Sequence, residues 1–86
     1  MYKIKLSRKA QKDLLLIDNV YYKPIQSKIM QLSQNPRPSG CKKLFGYEDL
    51  YRIKYADYRI IYHIADIVQI INIVRVKHRK EVYKNL

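Results

Sequence analysis

Apolar and polar residues change their period twice along this chain, and the changes divide it into elements. Tyr2 to Leu6 alternates as Tyr-Lys-Ile-Lys-Leu, the two-residue period of a half-buried strand with Lys3 and Lys5 outward. Ser7 suits a helix N-cap, and Ala10, Leu14 and Ile17 follow at helical spacing. Asp18-Asn19 ends that helix. Pro24 fits the first turn of a second one, whose apolar stripe is Ile25, Ile29 and Leu32. The run Asn35-Pro36-Arg37-Pro38-Ser39-Gly40 predicts a loop. Beyond it the period returns to two in Leu50 to Tyr55, Tyr58 to Ile64 and Ile67 to Val76. The short connections Ala56-Asp57 and Ala65-Asp66 make these runs an antiparallel meander. From Lys77 onward a helical turn is predicted. The expected architecture is α+β: an N-terminal strand, a helical hairpin and a three-stranded meander, with the helices on one sheet face.

The first hairpin has a definite register. With Ala56-Asp57 at its tip, Tyr55 faces Tyr58, Lys54 faces Arg59, and Ile53 faces Ile60. Opposed residues share a face, as do residues two apart. Arg52, Lys54 and Arg59 therefore lie on one face, and Tyr51, Ile53, Tyr55, Ile60, Tyr62 and Ile64 on the other, which becomes the core. Like charges directly opposite each other destabilise a sheet by ~0.2–1 kcal/mol. A bound phosphate would cancel that penalty and recruit the cations as charge-assisted donors. The competing use is a solvated face of mutually avoiding side chains. A second basic group, Arg75, Lys77, Arg79 and Lys80, surrounds His78 and precedes Tyr83. The third strand runs back antiparallel to the second, so its exit returns beside Tyr58 and Arg59, and the two groups converge at one edge of the sheet.

Composition sharpens this picture. A chain of 86 residues is one domain, expected over residues 1–86, with no room for a cofactor domain beside a substrate domain. Eighteen Lys and Arg against seven Asp and Glu give a net charge of +11, an excess that points to a polyanionic partner. Cys41 is the single cysteine, which removes the disulfide-stapled secreted class and fits a reducing cytoplasm. The apolar run Leu14 to Ile17 is too short for a signal peptide or a membrane span. A soluble, cytoplasmic protein without a membrane partner is expected.

Most chemistries lack their residues. One Cys and two His at non-motif spacing do not suggest zinc. The acids Asp13, Asp18, Glu48, Asp49, Asp57, Asp66 and Glu81 form no evident two-metal cluster. No metal and no small-molecule cofactor is therefore expected. Metal-free cleavage of RNA remains, because RNA supplies its own 2′-OH nucleophile. The enzyme must remove a proton, stabilise the charged phosphorus and assist the 5′ oxygen. Lys54 can be the base if Arg52 and Arg59 depress its pKa. Arg59 and Arg79 can clamp the phosphate, with Arg52, Arg75, Lys77 and Lys80 binding the backbone. His78 or Tyr83 can move a proton or stack on a base. Bland uses compete: His63 as a structural histidine, His78 as a solvated one, and Tyr83 as a core anchor.

At these residues the chain resembles the RelE/ParE toxin superfamily, and more closely its RelE-type mRNA endonucleases. The resemblance is carried by Lys42-Lys43-Leu44-Phe45-Gly46, Leu50-Tyr51-Arg52-Ile53-Lys54 and Asp57-Tyr58-Arg59-Ile60-Ile61-Tyr62. The ending Val76-Lys77-His78-Arg79-Lys80-Glu81-Val82-Tyr83 is similar to the family's Val-Gly-His-Arg-x-x-Val-Tyr. The resemblance implies a type II toxin that cleaves mRNA in the ribosomal A site without metal, and whose partners are the ribosome, mRNA and a cognate antitoxin. It places the basic catalytic positions at Arg52, Lys54, Arg59 and Arg79, with Tyr83 as the C-terminal tyrosine. Arg52 stands where some relatives have lysine, and Lys77 where many have glycine. The alternative within the superfamily is a ParE-type, non-enzymatic poison of DNA gyrase. A third possibility is a plain RNA- or ribosome-binding module.

Overall fold

The computed structural model describes residues 1–84. Strand β1 (Lys3–Leu6) leads into helices α1 (Arg8–Leu15) and α2 (Asn19–Gln31). A two-residue strand β2 (Lys42–Lys43) precedes the meander β3 (Leu50–Tyr55), β4 (Tyr58–Ala65) and β5 (Ile70–His78). The five strands form one sheet in the order β1-β5-β4-β3-β2. This is the α+β architecture the periodicity predicts, with two additions. β1 pairs with β5 in parallel, Lys3 opposite Ile70 and Leu6 opposite Ile73. β2 pairs antiparallel with β3, Lys42 opposite Arg52.

The core lies between the helices and one sheet face. Ala10, Ile17, Ile25, Ile29 and Leu32 meet Ile53, Ile60, Tyr62, Ile64, Ile71, Ile73 and Val76 there. Tyr62 is fully buried, and burial pushes its phenol pKa well up. Its hydroxyl donates to the Pro36 carbonyl at 2.7 Å and lies 3.2 Å from the Cys41 sulfur. That bond pins the Pro-rich loop to the sheet.

Several boundaries differ from expectation, and the third meander strand runs on through Lys77 to His78, where a helical turn was predicted, because these two residues pair with Arg59 and Tyr58 of β4. Helix α1 stops at Leu15, leaving Leu16 as its C-cap. Helix α2 starts at Asn19, so Pro24 stands inside it and not in its first turn. The Asp18 carbonyl accepts from the amides of Tyr21 and Tyr22, which starts the helix five residues before the proline. The third meander strand begins at Ile70, because Asp66 to Gln69 form a turn closed by the Gln69 amide on the Asp66 carbonyl. Ile67 at that turn is fully solvent-exposed.

The hairpin register is the one expected, with Tyr55 opposite Tyr58, Lys54 opposite Arg59 and Ile53 opposite Ile60. Ala56 at the tip takes the left-handed conformation at φ 52°, which a two-residue hairpin turn requires and a side chain resists.

Candidate functional site

The site grows out of that register. β5 continues the pairing, with Lys77 opposite Arg59 and His78 opposite Tyr58. Lys54, Arg59 and Lys77 therefore form a row of cations across three adjacent strands. On the same face, two residues back along β3, Arg52 is opposite Lys42 of β2. The helices cover the other face, and these cations stand on this one. Two like-charged cross-strand pairs in one row cost ~0.2–1 kcal/mol each.

The row has an electrostatic signature at Lys54. The guanidinium of Arg52 foremost, then Arg59, then partial desolvation and Lys42, hold its ammonium below the usual lysine range. The neutral amine that a general base needs is thereby favoured.

The hairpin tip gathers the remaining groups. Arg59 donates to the carbonyls of Tyr58 at 3.0 Å and Ala56 at 3.2 Å. The Arg79 amide donates to the Asp57 carbonyl at 2.7 Å, and its guanidinium lies 3.6 Å from the Asp57 carboxylate. His78 Nε2 is 4.0 Å from the other Asp57 oxygen. Nδ1 of the same ring accepts from the Lys80 amide at 3.2 Å. With Nδ1 an acceptor, the neutral ring carries its proton on Nε2, toward Asp57. Asp57 thus holds Arg79 and His78 at the turn. Asp57 is not among the site residues expected from the sequence, although the return of β5 beside Tyr58 is enough to place a turn acid next to Arg79. Lys42, also missed as a site residue, joins through β2, a pairing no periodicity announces in two residues.

The other predicted site residues are distributed as follows. His78 leans to the helix side, where its ring meets Tyr58 edge-on at 6.1 Å and Tyr58 meets Tyr21 at 5.4 Å. Lys77 is 3.7 Å from Glu81, and Lys80 is exposed. The chain after His78 is a turn, in which the Glu81 and Val82 amides both donate to the His78 carbonyl. Val82 is fully buried and Tyr83 is half-exposed, so the anchor of this segment is Val82 and the Tyr83 ring is accessible. Ile61, on the cationic face, is also fully buried, and neither it nor Val82 belongs to the main core.

Arg75 is drawn away from the cationic row. Its guanidinium makes two bonds, 2.9 and 3.0 Å, to Asp13 of α1, and Asp13 also accepts from the Val76 amide at 2.9 Å. The cause is topological. β1 ends at Leu6, opposite Ile73, and the β5 edge beyond it needs another partner for its amide. Asp13 provides it, and a bulge in the β4–β5 pairing lets Arg75 reach the same carboxylate. Asp13 in turn holds the Arg75 guanidinium above the usual arginine range.

Among the described residues no three His, Cys, Asp or Glu are grouped so as to hold a metal ion, and no helix is long and apolar enough to cross a membrane.

Comparison with solved structures bears the fold out. The archaeal RelE–RelB complex from Pyrococcus horikoshii OT3 superposes with a TM-score of 0.81 at 28% identity, over 93% of this chain and 97% of that one. The RelB–RelE complex from Methanococcus jannaschii gives 0.78 at 26%, over 95% and 98%. The isolated E. coli RelE toxin gives 0.80 at 22%, over 91% and 84%. The family model for the ParE toxin of the type II toxin–antitoxin system parDE matches residues 4–83. The chain belongs to this family of type II toxins, within the RelE/ParE superfamily. None of the curated proteins compared with it matches significantly.

Proposed function

We propose that this toxin is a ribosome-dependent mRNA endonuclease, acting in the cytoplasm and restrained by a cognate antitoxin. The observation that carries the proposal is the row Lys54–Arg59–Lys77 with its depressed lysine. The amine of Lys54 takes the proton of the 2′-OH, and the 2′ oxygen bonds to phosphorus as the bond to the 5′ oxygen breaks. Arg59 and Arg79 neutralise the charge that builds on the phosphoryl oxygens, the moment at which fixed donors contribute most. The departing 5′ oxygen takes a proton from Tyr83, whose ring is half-exposed, or from His78 in the C-terminal basic run. The products are a 2′,3′-cyclic phosphate and a free 5′-OH. Solved RelE relatives were crystallised with RelB, which supports an antitoxin partner here.

The match to the ParE family model favours a second reading, a gyrase poison acting through protein contacts. Induced expression with primer extension on translated and untranslated messages separates the two. Cuts confined to translated frames are expected. Accumulating DNA breaks with intact mRNA would establish the poison instead.

A further inference from the structure

The cationic face does not end at the sheet. Beside β3 a cavity of about 380 Å³ opens between the strand edge, the C-terminal part of α2 and the loop before β2. Lys28, Gln31, Asn35, Lys42, Arg52 and Lys54 contribute to its wall, and among the described residues no carboxylate does.

The reason the cavity exists is local. The Leu44 amide bonds the Leu50 carbonyl, and Lys42 is opposite Arg52. Alternation along a strand then directs the backbone groups of Leu50, Arg52 and Lys54 to the same edge. The next partner in line, opposite Lys54, would be Gly40. Gly40 has φ 87° and turns the chain away before that pair can form. The edge at Lys54 is left bare, and the gap it leaves is the cavity.

We infer that this cavity is a nucleotide subsite, holding the residue of a single-stranded RNA next to the phosphate being cut. The inference rests on the nuclease reading above and says where the strand goes. Lys28, Lys42 and Arg52 meet the phosphate and sugar edge. Gln31 and Asn35 carry amides that both donate and accept, the property that reading a base edge requires. The bare amide and carbonyl of Lys54 add one donor and one acceptor. Lys54 lines the cavity and belongs to the cationic row, so a strand crossing the row enters the cavity without leaving cations. An acidic peptide pairing with the β3 edge would satisfy the charge, but an extended strand has no use for the depth or for the two amides.

The test uses the intact toxin and a short single-stranded oligoribonucleotide, with Lys28→Gln as the main variant because Lys28 stands outside the row. Affinity should fall about fivefold, and the logarithmic salt slope should shrink by about 0.7, the share of one lost phosphate contact. Gln31→Ala should change which bases are preferred while leaving the slope unaltered. Lys3→Gln, at the far edge of the sheet, controls for charge and should have little effect. Arg79→Ala, assayed by cleavage on ribosomes, tests the nuclease reading separately. If Lys28→Gln leaves affinity and slope unchanged while Arg79→Ala still slows cleavage about a hundredfold, the cavity is off the RNA path and only the subsite is overturned. A Lys28→Gln loss confined to antitoxin binding would likewise overturn it and assign the edge to a protein.

Discussion

Arg75 offers the sharpest separation of structural from binding cations. The perturbation is Asp13→Ala, which leaves the guanidinium of Arg75, only 12% exposed, without its carboxylate, and the Val76 amide without an acceptor. Three hydrogen bonds disappear together. Breaking a buried ion pair from one side costs about 3–5 kcal/mol, because the remaining charge stays buried. A domain of this size has a total stability on the order of 5–10 kcal/mol, so much of it is lost. Each kcal/mol moves the midpoint by about 4–8 °C in a small domain, so Tm should drop by about 12 °C or more. Circular dichroism melts at neutral pH measure it. Replacing both partners with apolar residues, Asp13→Leu with Arg75→Met, should recover most of the loss, since neither charge is then stranded. Arg75→Met within that pair should leave the salt dependence of RNA binding unchanged. A loss below about 1 kcal/mol, the scale of an exposed pair, would refute the buried bridge. A shallower salt slope in the double variant would return Arg75 to the RNA-binding face.

Other outcomes follow from the same geometry. Arg59→Ala and Arg79→Ala should each slow single-turnover cleavage on saturated ribosomes by about a hundredfold, the scale of one lost oxyanion donor, with a much smaller loss of binding. Cleavage should rise with pH until Lys54, held below the usual lysine range by Arg52 and Arg59, is neutral. Arg52→Gln removes the largest of these repulsions, raises that pKa and should move the rising limb to higher pH; an unmoved limb would count against Lys54 as the base. Asp57→Asn frees Arg79 and His78 from their shared carboxylate and should lower the cleavage rate about tenfold, less than the ~10²-fold of a lost general acid, without weakening RNA binding. Val82→Ala should cost about 2 kcal/mol by thermal melting, marking Val82 as the anchor of the C-terminal turn.

Wherever the requirement was periodic, the sequence by itself was enough. Alternation in Leu50 to Tyr55 and Tyr58 to Ile64, with two residues between, fixes the hairpin register, because a one-residue slip would expose Ile53 and Ile60 and bury Lys54. The opposition of Lys54 and Arg59, and the arrival of Arg79 near them, follow from that register and the return of β5. Local chemistry alone did not decide the rest. Pro24 stands inside α2 because the core contacts of Ile25 and Ile29 outweigh a missing amide, and Ile67 is exposed because the chain needs four residues to turn. β2 is too short for any period to reveal. Arg75 and Lys77 read alike in sequence, as two cations of one basic run. Tertiary structure sends one to a buried aspartate and the other to the phosphate-ready row, because β1 ends early and the open edge of β5 must find an acceptor.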